Sequence, residues 1–352
     1  MTTNDLCISN LPKKLFGVAL DPADDPWSLR LKQAWLAADT SKLDRLAACR
    51  DPYDAVTAGL ADLLREHRIE PAGKVPIPSW LTPKPDPADL PLITAENMAA
   101  FFDSGELLEI TRQVQAFVRD KILPDIPLML GVDHSATAGV VAALSEKLGA
   151  ANLGVLVLDQ HFDALPLSVR LGGAGSTGVP VGFSDGFCCG NFWAWLIDSG
   201  YVLPRNLAFI GVADYPAPTA DPRRETYRRA YLDFEERGCR FFPLDRFHGD
   251  HREGLARFIG QIKVPHVYVS LDLDVASYAG TYAARYMDRP GLSREHILEI
   301  ARTIANSCRQ GKFTVCGLDV MEFNMHFLGI RTPDGTRDTT LDLAGGFIAA
   351  LT

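Results

Sequence analysis

The sequence predicts an α/β fold, a three-layer α/β/α sandwich on a mostly parallel sheet. Short apolar runs without polar alternation recur along the chain, the mark of strands covered on both faces. Stretches with apolar residues at helical spacing separate them, and this alternation calls for right-handed crossover units. With 47% hydrophobic and 22% charged residues, a chain of 352 residues can bury a large core without disulfides.

Leu15-Phe-Gly-Val-Ala-Leu20 reads as an opening strand, and residues 28–67 carry enough Leu and Ala for two helices. The proline-rich stretch from Pro71 to Pro91 reads as an extended connector. Ile126-Pro-Leu-Met-Leu-Gly131 is the next strand. After it, Ser135 is placed to cap a helix with the stripe Val140, Val141, Leu144 and Leu148, ended by Gly149. Leu153-Gly-Val-Leu-Val-Leu158, Leu207-Ala-Phe-Ile-Gly-Val212, His266-Val-Tyr-Val-Ser270 and Phe313-Thr-Val-Cys-Gly-Leu318 are further buried strands. Helices are expected near 221–237, 251–262 and 293–308. With neither repeats nor low-complexity tracts, residues 1–352 read as one domain with an elaborated N-terminal part at about 1–100.

The formal charge of −9, without a basic stripe, argues against nucleic acid and anionic membranes as partners. Cys7, Cys49, Cys188, Cys189, Cys239, Cys308 and Cys316 are odd in number and form no CxxC, which predicts free thiols in a reducing compartment. The N-terminus lacks the apolar run of a signal peptide, and no stretch reaches about 18 apolar residues. A cytoplasmic location follows as the expectation.

Ligands of parallel sheets gather outside the carboxyl ends of the strands. Four predicted strand ends carry acidic or imidazole groups: Asp133-His134-Ser135, Asp159-Gln160-His161-Phe162-Asp163, Ser270-Leu-Asp272-Leu-Asp274, and Asp319 followed by Glu322. If the strand conformation persists past Leu158, period-two geometry puts Asp159, His161 and Asp163 on one face, and Asp272 with Asp274 likewise. Each short motif alone also fits a loop or helix cap. Together, four converging carboxylates would repel one another or take up protons unless cations neutralised them. Four carboxylates with His134 and His161 suit two divalent ions, and mixed O/N ligation favours Mn2+ over thiophilic metals.

Leu128-Met-Leu-Gly-Val-Asp-His-Ser135 resembles the GGDHS motif of the ureohydrolase superfamily, which includes arginases, agmatinases and formiminoglutamases. Leu158-Asp-Gln-His-Phe-Asp163 is similar to its DAHxD motif, and Ser270-Leu-Asp-Leu-Asp274 to its SxDxD motif. The resemblance extends from about residue 125 to the C-terminus and implies the same sandwich fold. It implies a pair of Mn2+ ions per subunit, with Ni2+ or another divalent ion as the alternative, and hydrolysis of a guanidino or formimino C–N bond. Carried over by motif position, Asp159 and Asp272 would bridge the ions. His134 and Asp163 would complete one ion's ligands, and His161 and Asp274 the other's. Such a pair lowers the pKa of a shared water, and Asp163 would orient that nucleophile. Glu322, in Asp319-Val-Met-Glu-Phe-Asn324, resembles the carboxylate that pairs with the substrate's cationic nitrogens.

Val132 and Gln160 depart from the first two motifs, and Ser277-Tyr278 stands where Asp-Pro often follows the third. Arginase-like members carry Gly-Asn-x-His in the loop after the second motif, whereas this chain reads Gly190-Asn191-Phe192-Trp193. Asn191, Trp193 and Asp214 are candidates for substrate binding, and His326 and Asp214 are candidates to replace the missing histidine in proton handling or polar-group recognition. Trp193 and Trp195, with Phe187 and Phe192, would wall an apolar pocket or pack a loop. Cys188 and Cys189 suggest a redox role only weakly, because the ligand set is complete without thiols.

The expected protein is a binuclear metal-dependent hydrolase of a small guanidino or formimino compound, releasing urea or formamide. His-Phe-Asp in the second motif, Ser-Leu-Asp-Leu-Asp-Val in the third and the missing histidine make it resemble a formiminoglutamase-like or agmatinase-like member. By contrast, Asp133-His134-Ser135 is the arginase-like version of the first motif. The alternatives are a metal-dependent, deacetylase-like amide hydrolase and a non-catalytic member of the family. The resemblance also implies a homo-oligomer, a trimer or hexamer, whose only other partner is a small-molecule substrate.

Overall fold

The structure, a computed structural model, describes residues 11–38, 46–166, 168–169, 185–218, 220–276, 281–287, 290–332 and 335–352. Strands β1 (Lys13–Val18), β2 (Ile69–Lys74), β3 (Ile126–Gly131), β4 (Leu153–Leu158), β5 (Leu207–Ile210), β6 (Arg240–Phe242), β7 (His266–Asp272) and β8 (Thr314–Met321) form one sheet. Their order is β2-β1-β3-β8-β7-β4-β5-β6, and every neighbouring pair is parallel. The register is level across the centre: Leu130 lies beside Val320, Val320 beside Leu271, and Leu271 beside Leu158. The ends of β3, β8, β7 and β4 therefore form a continuous row.

Helices cover both faces. Helices α1 (Pro26–Ala37), α2 (Pro52–Gly59) and α3 (Ala61–Glu66) precede β2, and α4 (Ala95–Ser104) and α5 (Glu106–Phe117) precede β3. Then come α6 (Thr137–Leu148), α7 (Phe192–Asp198), α8 (Pro222–Glu236), α9 (Arg252–Gly260), α10 (Arg294–Arg309) and α11 (Thr340–Leu351). One apolar core joins α2, α3, α9, α10 and α11 to Leu128, Leu130, Leu156 and Leu158 of the sheet. The other joins α4 to α8 to Met129, Val155 and Val157. Alternate side chains of one strand thus enter opposite cores, which is why these strands show no polar alternation.

Three local expectations change. Asp133, not Ser135, opens the segment after β3: its Oδ1 accepts from the Ser135 N–H at 2.9 Å and caps a short 3-10 turn, His134–Ala136, leading into α6. Its shorter side chain contact, from the Ser135 hydroxyl, takes the group that would have capped the helix. Among the described residues, 28–67 hold parts of three helices rather than two, with Asp51 capping α2 through the Asp54 N–H at 2.9 Å. The proline-rich connector begins inside β2, which pairs with β1 despite Pro71 because it is an edge strand, then continues through two 3-10 turns. Ser277-Tyr278 and Cys7 lie outside the described residues. No helix among the described residues is long and apolar enough to cross a membrane.

Candidate metal centre

Because the four central strands end level, each residue that follows an end is delivered to the same place. The loop after β3 supplies His134, the loop after β4 supplies Asp159, His161 and Asp163, and β7 with the turn after it supplies Asp272 and Asp274. His134 Nδ1 lies 3.0 Å from Asp272 Oδ2, 3.3 Å from Asp163 Oδ2 and 3.4 Å from Asp159 Oδ2. His161 Nδ1 lies 2.8 Å from Asp274 Oδ2 and 4.0 Å from Asp159 Oδ1. Two groups of possible ligands result, His134–Asp159–Asp163–Asp272 and Asp159–His161–Asp274, with Asp159 common to both. All six sequence-predicted ligand residues are thereby brought together.

The chemistry of this set fits a cation pair. His134 Nδ1 and Asp159 Oδ2 are buried and make no hydrogen bond within the protein, although they face one another across the cluster. Unpaired polar atoms in such a place are costly unless a ligand engages them. The charges themselves are displaced from ordinary behaviour. Burial, then repulsion from Asp272, Asp163 and Asp274, pushes the Asp159 carboxyl well above its usual range. Burial and Asp272 push Asp274 up to about 7. Burial opposes the charged form of His134, but the surrounding carboxylates prevail and hold its pKa well above the usual histidine value.

A second layer orients the first. His134 Nε2 is 2.9 Å from Ser270 Oγ, and the Ser270 hydroxyl donates to Asp319 Oδ1 at 2.7 Å. Asp319 Oδ2 accepts from the Tyr268 and Thr137 hydroxyls, each at 2.6 Å. With its own proton given to Asp319, Ser270 accepts one from Nε2–H, so that in the neutral imidazole, the form that binds metal, the Nδ1 lone pair faces the carboxylates. Asp272 Oδ1 accepts from the Asp274 N–H at 2.9 Å, and Asp274 Oδ1 from the Gln160 N–H at 3.1 Å. Two of the site's acidic residues adopt left-handed backbone, Asp163 with φ 50° and Glu322 with φ 62°. Non-glycine residues there carry strain, the kind found where a site over-determines its geometry.

Glu322 follows β8. Its Oε1 accepts from the His134 N–H at 3.0 Å, while Oε2 lies 3.5 Å from Arg285 Nη1. The carboxylate read from sequence as a receptor for substrate cations thus already faces a cation of the protein. Sequence reasoning also passed over Asp21 and Asp24 after β1. Asp21 Oδ1 is 3.6 Å from Arg285 Nη1, and Asp24 Oδ1 is 3.2 Å from Nη2. Position after a strand end was the available signal for both aspartates.

The other candidate residues are placed differently. Asn191 holds its own loop: Oδ1 accepts from the Cys188 N–H at 2.9 Å, and Nδ2 donates to the Gly186 carbonyl at 2.7 Å. Asp214 accepts from the Tyr227 hydroxyl at 2.8 Å, the Tyr231 hydroxyl at 2.9 Å and the Phe162 N–H at 3.3 Å. These bonds brace the loop after β4, so the polar atoms of both side chains are engaged within the protein. Trp193 is fully buried against Phe192 and Phe209 and edge-on to His134, with ring centroids 6.0 Å apart in the last pair. It packs the wall behind the ligand, as Phe192 does, rather than lining an open pocket. Phe187 meets Trp195 edge-on, and Trp195 in turn packs against Tyr201, at the edge of the same core. Burial pushes the His326 ring down to about 4, so it is neutral at physiological pH and cannot carry a proton as imidazolium there. The Cys189 thiol, pushed well up by burial, faces Asp24 at 3.9 Å.

Fold and site together define an α/β protein with a buried, paired carboxylate–imidazole centre at the carboxyl edge of a parallel sheet. The model of the arginase family matches residues 48–337, and the chain belongs to that family. It is 26% identical over 266 residues to Arginase 2, chloroplastic/mitochondrial, of Arabidopsis thaliana, covering 76% of this chain and 64% of that protein. It is 28% identical over 201 residues to Arginase 1, mitochondrial, of Oryza sativa subsp. indica, covering 56% and 48%. The chain therefore spans about half to just under two thirds of the length of these relatives. Among solved structures, the native arginase of Bacillus caldovelox superposes with a TM-score of 0.59 at 18% identity, over 97% of this chain and 98% of that one. The formimidoylglutamase of Bacillus subtilis superposes with 0.56 at 17% identity, over 97% and 87%. Proclavaminate amidino hydrolase of Streptomyces clavuligerus gives 0.55 at 19% identity, over 100% and 96%. At these identities the likeness is one of fold.

Proposed function

We propose that this chain is a metal-dependent hydrolase that cleaves a C–N bond of a small amidine-type compound, guanidino or formimino, releasing urea or formamide. The observation that carries the reading is the pair of ligand groups sharing Asp159 at four level strand ends. His134, Asp159, Asp163 and Asp272 would hold one ion, and His161, Asp274 and Asp159 the other, with Asp272 as a second bridge. A pair of Mn2+ or other divalent ions bound there supplies Lewis acidity and lowers the pKa of water for attack on a planar carbon. The protein's own contributions are positional. Ser270 and Asp319 fix the His134 ring, while Asp163 would orient a nucleophile and Glu322 would meet the substrate's nitrogens.

Known arginase-family members and the structural relatives named above are hydrolases of amidino or guanidino groups, which supports the reaction class. The test is a panel of guanidino, formimino and amide compounds offered to protein stripped by chelator and reloaded with Mn2+, Ni2+ or Zn2+. Urea, ammonia and formamide are assayed alongside metal content per chain. Turnover with two bound ions is expected. Turnover with one bound zinc, restricted to amides, would favour the deacetylase-like alternative, and full metal binding without any turnover would favour a non-catalytic member.

A further inference from the structure

Residues 281–287 cross the row of strand ends that carries the ligand cluster. At the end of β8, the Arg285 N–H donates to the Glu322 carbonyl at 2.9 Å, and the Asn324 N–H donates to the Ala283 carbonyl at 2.8 Å. Beside the end of β4, Gln160 donates from Nε2 to the Tyr286 carbonyl at 3.4 Å. In the loop after β1, Asp24 accepts from the Tyr286 hydroxyl, and from Arg285 Nη2 at 3.2 Å. These strands stand in the order β1-β3-β8-β7-β4, so one short segment is tied at several points along the row. It is a strap across the carboxyl edge of the sheet.

Neighbouring residues of the strap are held very differently. Arg285 is anchored by its backbone and by a buried ion cluster, with Nη1 3.5 Å from Glu322 Oε2 and 3.6 Å from Asp21 Oδ1. Tyr286 is half-buried and has left-handed backbone, φ 52°, which a bulky side chain adopts only against strain. Opposing that strain are the Gln160 bond and the contacts at the tip of the ring. The hydroxyl donates to Asp24 Oδ2 and accepts from Arg285 Nη2 at 2.7 Å. A strained backbone held by a few polar contacts can switch when those contacts break.

Tyr286 also stands at the accessible side of the cluster. The side chains of His134, Asp159, Asp272 and Asp274 are at most 2% exposed, whereas His161 is 12% and Asp163 9% exposed. The way in therefore runs past His161 and Asp163. Gln160, which holds the Tyr286 carbonyl, directly precedes His161. On the other flank, the Trp193 N–H donates to the Asp163 carbonyl at 3.3 Å, and Cys189 of the same loop meets Asp24 Oδ2 at 3.9 Å. That oxygen is the one the Tyr286 hydroxyl binds, so Tyr286 joins the two flanks.

We propose that Tyr286 is a gate over the metal centre: latched to Asp24 it closes the way past His161 and Asp163, and its release governs entry and exit. The proposal rests on the reading of the cluster as a metal centre and not on hydrolysis. A gate of this kind alters the barrier to passage and leaves the ligands as they are. Entry and exit of an ion should therefore change by the same factor, with its affinity unchanged.

The test follows Mn2+ in the full chain by stopped flow. Release is read on mixing the loaded protein with excess chelator, uptake on mixing the stripped protein with Mn2+, and affinity by titration calorimetry. Tyr286→Phe removes only the hydroxyl. It is expected to speed release and uptake together by about tenfold, the factor that loss of one hydrogen bond to a charged group corresponds to. Unchanged rates overturn the proposal. So does faster release with a matching loss of affinity, which a disturbed ligand geometry would give. Should Tyr286→Phe fail to fold, Gln160→Ala frees the same residue at its carbonyl and is read in the same way. Wild-type protein that takes up no Mn2+ would defeat the metal-centre reading and the gate with it, whereas tight binding with unchanged rates defeats the gate alone.

Discussion

Ser270 controls which nitrogen of His134 faces the carboxylates. Its hydroxyl donates to Asp319, whose other oxygen is held by Tyr268 and Thr137, so the serine oxygen is free to accept from the imidazole Nε2. Removing that oxygen by Ser270→Ala leaves the ring to choose its tautomer and rotate. Metal affinity is expected to fall about 10- to 100-fold, the usual effect of losing a partner that orients a ligand. Calorimetric titration of the chelator-stripped variant with Mn2+ reads this directly. Unchanged affinity would show that packing against Phe192 and Trp193 alone fixes the ring. Ser270 and Asp272 alternate along β7 and so share a face, which is why one strand supplies both a ligand and the group that orients another.

At the scale of elements, the loop after β4 depends on α7 and α8 for its shape. Asp214 and the two tyrosines of α8 grip Phe162, whose ring meets Phe209, Tyr231, Phe234 and Phe241. The Trp193 N–H donates to the Asp163 carbonyl at 3.3 Å, and its side chain fills the space behind His134. Trp193→Ala is therefore expected to cost about 3–5 kcal/mol of stability, as for other buried aromatic truncations. Denaturant unfolding of the metal-free protein checks it, and a change below about 1 kcal/mol would return Trp193 to the role of an open pocket wall. The central strands were legible because burial on both faces leaves an unbroken apolar run, and the ligands were legible because each follows such a run. The edge strands were not: β2 reads Ile-Glu-Pro-Ala-Gly-Lys and is partly exposed, and β6 has three residues. Helices α4 and α5, between the proline-rich connector and β3, went unread. Arg285 was invisible for a different reason: its meaning comes from the backbone bridge between Ala284 and Phe323, which local spacing does not encode.

For the whole molecule, the buried cluster ties stability to both pH and metal. Without a cation, the folded chain holds protons that the unfolded chain has released. Asp274 keeps its proton up to about 7, Asp133, also raised by burial, up to about 6, and Asp159 and His134 are shifted in the same direction. Where the folded state binds more protons than the unfolded state, stability falls as pH rises. His326 acts oppositely, since burial lowers its pKa to about 4, but that contribution is complete above about pH 6.5, the unfolded histidine value. Lys32, lowered to about 8 by burial, opposes the cluster from about pH 7 upward. As one group against several raised ones it does not reverse the sign, and the metal-free protein is expected to lose thermal stability between about pH 6.5 and about pH 8. Divalent ions favour the deprotonated ligands, so their binding strengthens as pH rises and stabilises only the folded chain. Scanning calorimetry in chelator and in Mn2+ over this window should give two Tm curves that diverge toward alkaline pH. Curves that run parallel or converge would mean that the carboxylates at the strand ends do not take up the cation together.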